Sequence, residues 1–82
     1  MGEETFITEL TKLNSKTRAK YPSNFNSHHE AYGVLAEEVD EFWEIVRKKR
    51  EDRSKDDVRA EALDIANVAW RIYVELGEGR HS

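Results

Sequence analysis

The chain has no cysteine, one proline and four glycines in 82 residues, and no long apolar run. Without cysteine there is no disulfide, no thiolate metal site and no thiol nucleophile, a composition compatible with the cytosol. No stretch approaches the roughly 18 apolar residues of a membrane span. The opening MGEETFITEL is acidic where a secretory leader is basic, so the expected location is cytoplasmic, with no membrane partner. A formal charge of −4 disfavours binding to nucleic acid by phosphate neutralisation, and no helix-turn-helix pattern offsets it. The one basic cluster, RKKREDR at 47–53, reads as a solvated helix end where cations suit the dipole.

The scarcity of breakers leaves three helical segments in one domain, 1–82, close to the lower size limit for a self-sufficient core. The first, about Thr5 to Lys20, carries Phe6, Leu10 and Leu13 at helical spacing. It then turns polar, a weaker helix signal, and stops before Pro22. YPSNFNS at 21–27 is loop. It ends in SHHE, a capping box in which Ser27 accepts from the amide of Glu30 and Glu30 reaches back. The second helix then runs from about His28 to about Arg50. SKDD at 54–57 starts the third, about Lys55 to Leu76, with its stop at Gly77. Helices two and three form an antiparallel hairpin with a short turn, so the fold class is all-α. The core is expected over about 21–76, with 77–82 a flexible tail that includes His81.

The stretch VLAEEVDEFWEIV, 34–46, mixes carboxylates into a segment that is otherwise core-like. At about 100° per residue, Tyr32, Leu35, Val39, Phe42 and Val46 form one stripe, taken as the core direction; Glu38 lies roughly 80° from it and Glu41 roughly 140°. Val34, Leu35, Phe42 and Ile45 frame Glu38, a costly place for an unpartnered charge. On the third helix Val58, Ala62, Ile65, Ala69, Ile72 and Leu76 define the stripe. Glu61 and Asp64 sit at the same offsets in the same sense. An antiparallel hairpin has an approximate two-fold axis, so equal offsets emerge on one side and the four carboxylates converge. Such charges repel unless protonated or bridged by cations, and an all-oxygen set suits Mg²⁺ or Mn²⁺ rather than zinc. The Glu-x-x-His pairs of di-iron bundles are missing. Other acid pairs at this spacing, 37–40, 41–44 and 75–78, read as solvated faces.

AEEVDEFWEIV followed by RAEALDIANVAWRI resembles the MazG-like, all-α nucleotide pyrophosphohydrolases, characterised by E-x-x-E on one helix and E-x-x-D on the next. The upstream YPSNFNSHHEAYGVL is similar to the entry to this helix in short members, and the resemblance spans about Tyr21 to Leu76. It implies Mg²⁺-dependent hydrolysis of a nucleoside triphosphate to the monophosphate and pyrophosphate, with house-cleaning of non-standard or excess nucleotides as the expected role. It also implies a four-helix-type bundle completed by a homodimer or homotetramer. By position Glu38, Glu41, Glu61 and Asp64 would be metal ligands. Glu37, matching the doubled glutamate of many members, would assist Glu38 in the chemistry by orienting water or a further cation. The chain is shorter than many members, lacks a clear fourth helix, and carries nothing that matches the base-selecting residues of longer relatives.

An acidic protein meets a polyanionic substrate through cations or basic side chains, and Lys48, Lys49 and Arg71 are candidates for the latter. Arg71 has an alternative partner in Glu75 at i+4. Asn67, one turn after Asp64, either lines the site or faces solvent. His28 and His29 belong to the exposed first turn of helix two. Leu63, Trp70 and Val74 form a second apolar stripe on helix three, so that helix needs two packing partners. The first helix is an incomplete cover for one of them, which favours a subunit interface. Trp43 is read as core or interface packing. Beside the enzyme stands a different expectation, a non-catalytic helical module for metal binding or protein association.

Overall fold

The computed structural model describes residues 2–77, and every regular element among them is helical. Helix α1 spans Gly2–Lys20, α2 spans His28–Val46 and α3 spans Lys55–Ile72. A single 3₁₀ turn, Arg50–Asp52, interrupts the α2–α3 connection, and a wider π turn, Tyr73–Gly77, continues α3. The expected flexible tail, His81 included, lies beyond these residues except for Gly77.

The caps form where the residue types require them. Ser27, in extended backbone, accepts from the Glu30 amide at 3.0 Å, and Glu30 reaches back to the Asn26 amide at 2.7 Å, one residue earlier than a simple capping box. Ser54 accepts from the amides of Asp56 and Asp57, which places two acids in the positive first turn of α3. Helix α2 stops at Val46, four residues before the expected Arg50. No apolar side chain beyond Val46 is available to anchor another turn, and a helix end without packing is not held. Arg53 takes over there, donating to the Val46 carbonyl at 2.7 Å, while Arg47 pairs with Glu44 at 3.2 Å. At the other end of the hairpin Gly77 makes no left-handed cap, since no described glycine has positive φ.

The polar second half of α1 is helical to Lys20 despite its weak pattern, because tertiary bonds hold it. Asn14 donates to Asn67 Oδ1 at 3.0 Å, and Asn67 donates to Thr17 Oγ1 at 3.0 Å, a ladder between α1 and α3 with both asparagines buried. Leu63 shares grooves with Phe6 and Leu13, and Val74 shares one with Arg18 and Tyr21. The first helix therefore covers Asn67 together with Leu63 and Val74, two of the three residues of the second apolar stripe; the third, Trp70, is half-buried.

The inward direction of the hairpin differs from the expected stripe. The core gathers Phe25, Ala31, Val68 and Leu76, with Val34, Leu35 and Ile72 against them, and Ile45 is buried nearer the turn. Tyr32, Val39 and Phe42, assigned to the α2 core, are exposed, Tyr32 to 72%. On α3, Val58 is exposed by the same token, and so are Ala62 and Ala69. Relative to those stripes each helix is rotated by roughly 80°, which brings the directions of Glu38 and Glu61 onto the seam. Apolar side chains on either side of the acids supply the packing, and Ala31, the most buried of them, lets the backbones approach. Leu35, Ile72 and Leu76 of the expected stripes do join the core, while Tyr32, Val39, Phe42 and Val58, with Trp43 and Tyr73, stay exposed.

Candidate metal centre

Glu38 and Glu41 project from successive turns of α2, and Glu61 and Asp64 from successive turns of α3. One carboxylate oxygen from each lies within 4.8 Å of all the others. Four oxygens around one Mg²⁺ at about 2.1 Å would lie at most about 4.2 Å apart, so a small inward movement of the side chains closes the shell. The four-carboxylate cluster expected from the matched offsets is thus assembled, and it could hold a metal ion.

Its electrostatics are those of four like charges held close together, with no ion pair to any of them among the described residues. Glu38, Glu61 and Asp64 are partly buried, while Glu41 is exposed. Glu38 Oε1 and Glu61 Oε2 are buried with no hydrogen-bond partner, and the described ion pairs all lie elsewhere. Burial first, then the carboxylates of Asp64, Glu41 and Glu61 and a proton shared with Glu41, pushes the Glu38 carboxyl up to about 7. Glu61 is raised by burial and by Glu41 and Asp64, with smaller contributions from the shared hydrogen bond to Glu41 and from Asp57. Asp64 is raised by burial and Glu41. Two ionised carboxylates about 4.8 Å apart repel by roughly 3 kcal/mol at an effective dielectric of 20. The cluster has two ways to relieve this, protonation or a divalent cation. The orphaned oxygens fit the second, since they are acceptors already desolvated and without a partner.

The remaining candidates fall into separate surroundings. Glu37 is exposed on α2 beside Glu38. Lys48 and Lys49 are exposed in the α2–α3 connection, two turns or more beyond Glu41. Asn67 neither faces solvent nor opens into the cluster with a free amide; its oxygen and nitrogen are engaged by Asn14 and Thr17. Arg71 pairs with Glu75 at 2.9 Å, each side chain only 12% exposed. Its guanidinium also lies 4.0 Å from the centroid of the Phe25 ring. Glu75 in turn accepts from the Phe25 amide at 2.7 Å, so it does not belong to a solvated acidic face. This network ties the α1–α2 loop to the end of α3. His28 and His29 are exposed as expected.

Asn14 and Phe25 were not legible as structural centres from composition, although one signal was present. Leu10, Leu13, Asn14 and Thr17 continue a helical i, i+3, i+4, i+7 face into the polar half of α1. Against protein-family models, curated proteins and solved structures, the chain shows no match.

Proposed function

We propose that this protein is a metal-dependent nucleoside triphosphate pyrophosphohydrolase of the MazG-like kind, acting with Mg²⁺ or Mn²⁺. The observation that carries this reading is the four-carboxylate cluster with two buried, unpartnered oxygens. Glu38, Glu41, Glu61 and Asp64 would hold the cation, which when bound neutralises phosphate oxygens and acidifies a water ligand. The helices supply rigidity, because each ligand pair sits one turn apart on a packed helix and cannot drift independently. Glu37, exposed and one turn before Glu41, would orient the attacking water or a further cation. The anhydride between the α and β phosphates is the bond that breaks, giving a monophosphate and pyrophosphate.

The same reading includes a homo-oligomer. Tyr32, Val39, Phe42, Trp43, Val58 and Tyr73 leave a broad apolar side uncovered, and pairing with a second hairpin would complete a four-helix bundle. That exposed face also favours the alternative, a helical module whose role is association. Pyrophosphate release across a panel of nucleoside triphosphates, with Mg²⁺ and with EDTA, separates the two. The enzyme releases pyrophosphate only with metal, and Glu38→Gln and Glu61→Gln abolish release. A wild-type protein that binds metal and releases none is the association module.

A further inference from the structure

Asp64 belongs to two places at once. It contributes to the carboxylate cluster, and it also lines a groove of about 260 Å³ between α1 and α3 together with Lys12, Lys16, Leu13, Leu63 and Glu9. That volume is room for roughly eight waters at about 30 Å³ each. Lys12 and Lys16 stand one turn apart on the same face of α1, so both ammonium groups follow one edge of the groove.

The register that puts them there is set by buried bonds rather than by the lysines themselves. Asn14 lies in sequence between the two lysines, Asn67 lies one turn from Asp64, and the two amides bond at 3.0 Å. Sliding α1 by one turn along α3 would break that ladder and remove the lysines from Asp64. Nor are these cations committed elsewhere. Lys12 meets Glu9 only at 3.9 Å, with the two side chains 66% and 50% exposed, and Lys16 makes no ion pair among the described residues. Exposed contacts of that kind are worth little and yield readily to a stronger anion. Arg71, by contrast, is held by Glu75 at 2.9 Å with both side chains 12% exposed.

We propose that Lys12 and Lys16 form a phosphate-binding arm, and that the α1–α3 groove receives the outer phosphates of a polyphosphate chain whose nearer phosphate is held at the carboxylate-bound cation. The proposal rests on the metal reading of the cluster. A divalent cation held by carboxylates keeps coordination positions for phosphate oxygens, and the anion then has to leave the cation along some surface. Exposed Glu37 and Asp40 neighbour Glu38 on α2 and Asp57 lies near Glu61, whereas this groove offers two ammonium donors beside Glu9. Leu13 and Leu63 form the apolar part of its wall. Lysine suits the task as a mobile point charge that follows a flexible chain of tetrahedral groups.

Calorimetric titration of the full chain with inorganic tripolyphosphate in the presence of Mg²⁺ tests the arm, alongside a Mn²⁺ titration that tests the cluster alone. The Lys12→Ala/Lys16→Ala double variant is expected to bind Mn²⁺ as wild type does. Its tripolyphosphate affinity should fall about tenfold, with a weaker salt dependence. Lys12→Arg/Lys16→Arg should retain most of the affinity, and Lys20→Ala, whose ammonium lies 5.3 Å from the Tyr21 ring centroid, should match wild type. If wild type binds no Mn²⁺, the carboxylate reading fails and the arm falls with it. If wild type binds Mn²⁺ and the double alanine variant holds tripolyphosphate as tightly as wild type, the arm alone is overturned.

Discussion

Asn14 and Asn67, 53 positions apart, bond to each other at 3.0 Å in the buried layer between α1 and α3. The Asn67 amide also donates to Thr17, so truncating Asn67 leaves the buried Asn14 amide without its acceptor and Thr17 with only its bond to the Leu13 carbonyl. Asn67→Ala is expected to cost about 1–3 kcal/mol in chemical denaturation. Asn14→Leu/Asn67→Leu should cost less than the sum of its two single variants, because the double change leaves fewer unpaired groups. Strict additivity would show that the two amides do not support each other.

Removal of metal should make stability fall with rising pH near neutrality. Glu38 has its carboxyl raised from 4.5 to about 7, so in that interval the folded chain keeps a proton that the unfolded chain has released. The unfolded state then binds fewer protons, and stability is lost as pH rises from the unfolded value through the folded one. Glu61 and Asp64 are raised as well and act in the same sense. In EDTA the melting temperature is expected to drop by a few degrees, about 3–6 °C, between pH 5 and pH 8. Mg²⁺ at pH 8 should restore it, since binding to the folded state adds RT ln(1 + [L]/Kd). A flat profile with and without the ion would count against the cluster.

Neutral amides at the seam should separate stability from metal binding. Glu38→Gln and Glu61→Gln remove a crowded charge, so in EDTA at pH 8 each is expected to melt at or above the wild-type temperature. Neither should gain from added Mg²⁺. Glu44→Gln is the control, since Glu44 is exposed and only pairs with Arg47 on the surface; it should stay within about 0.5 kcal/mol of wild type. A wild-type metal response in Glu38→Gln would remove that residue from the ligand set.

Glu75 holds Arg71 and the Phe25 amide together, with both charged side chains 12% exposed. Glu75→Ala leaves a largely buried guanidinium and a backbone donor without their acceptor, and should cost about 2–3 kcal/mol. Amide hydrogen exchange at Phe25 should accelerate in the variant. Unchanged exchange would show that the loop is held by Phe25 packing alone.

The uncovered apolar side of the hairpin predicts self-association. Sedimentation of the wild type at micromolar concentration is expected to show a dimer or tetramer. Tyr32→Glu and Val39→Asp, both at exposed positions, should shift it to monomer while leaving helical content intact. A wild-type monomer under those conditions would leave the face to a different partner.

The local elements and the acidic spacing were decided by sequence alone. Ser27 and Ser54 start α2 and α3 through bonds to amides only two or three residues ahead, and Pro22 keeps α1 from continuing. Glu38, Glu41, Glu61 and Asp64 share matched helical offsets, a property of residue spacing that keeps the two pairs on one side under an equal rotation of both helices. Their convergence was therefore legible, and the cluster forms. Which sector of each helix turns inward was not. An apolar stripe and an acid-centred stripe lie side by side on α2 and α3, and periodicity reports both without saying which meets a partner within the chain. Tertiary packing decided it: α1 docks on the Leu63, Asn67 and Val74 face, the hairpin closes through Glu38 and Glu61, and Tyr32 and Val39 are left outside. The Asn14–Asn67 and Arg71–Glu75–Phe25 contacts were beyond the sequence for the same reason, because their energy depends on desolvated geometry between elements rather than on residue type.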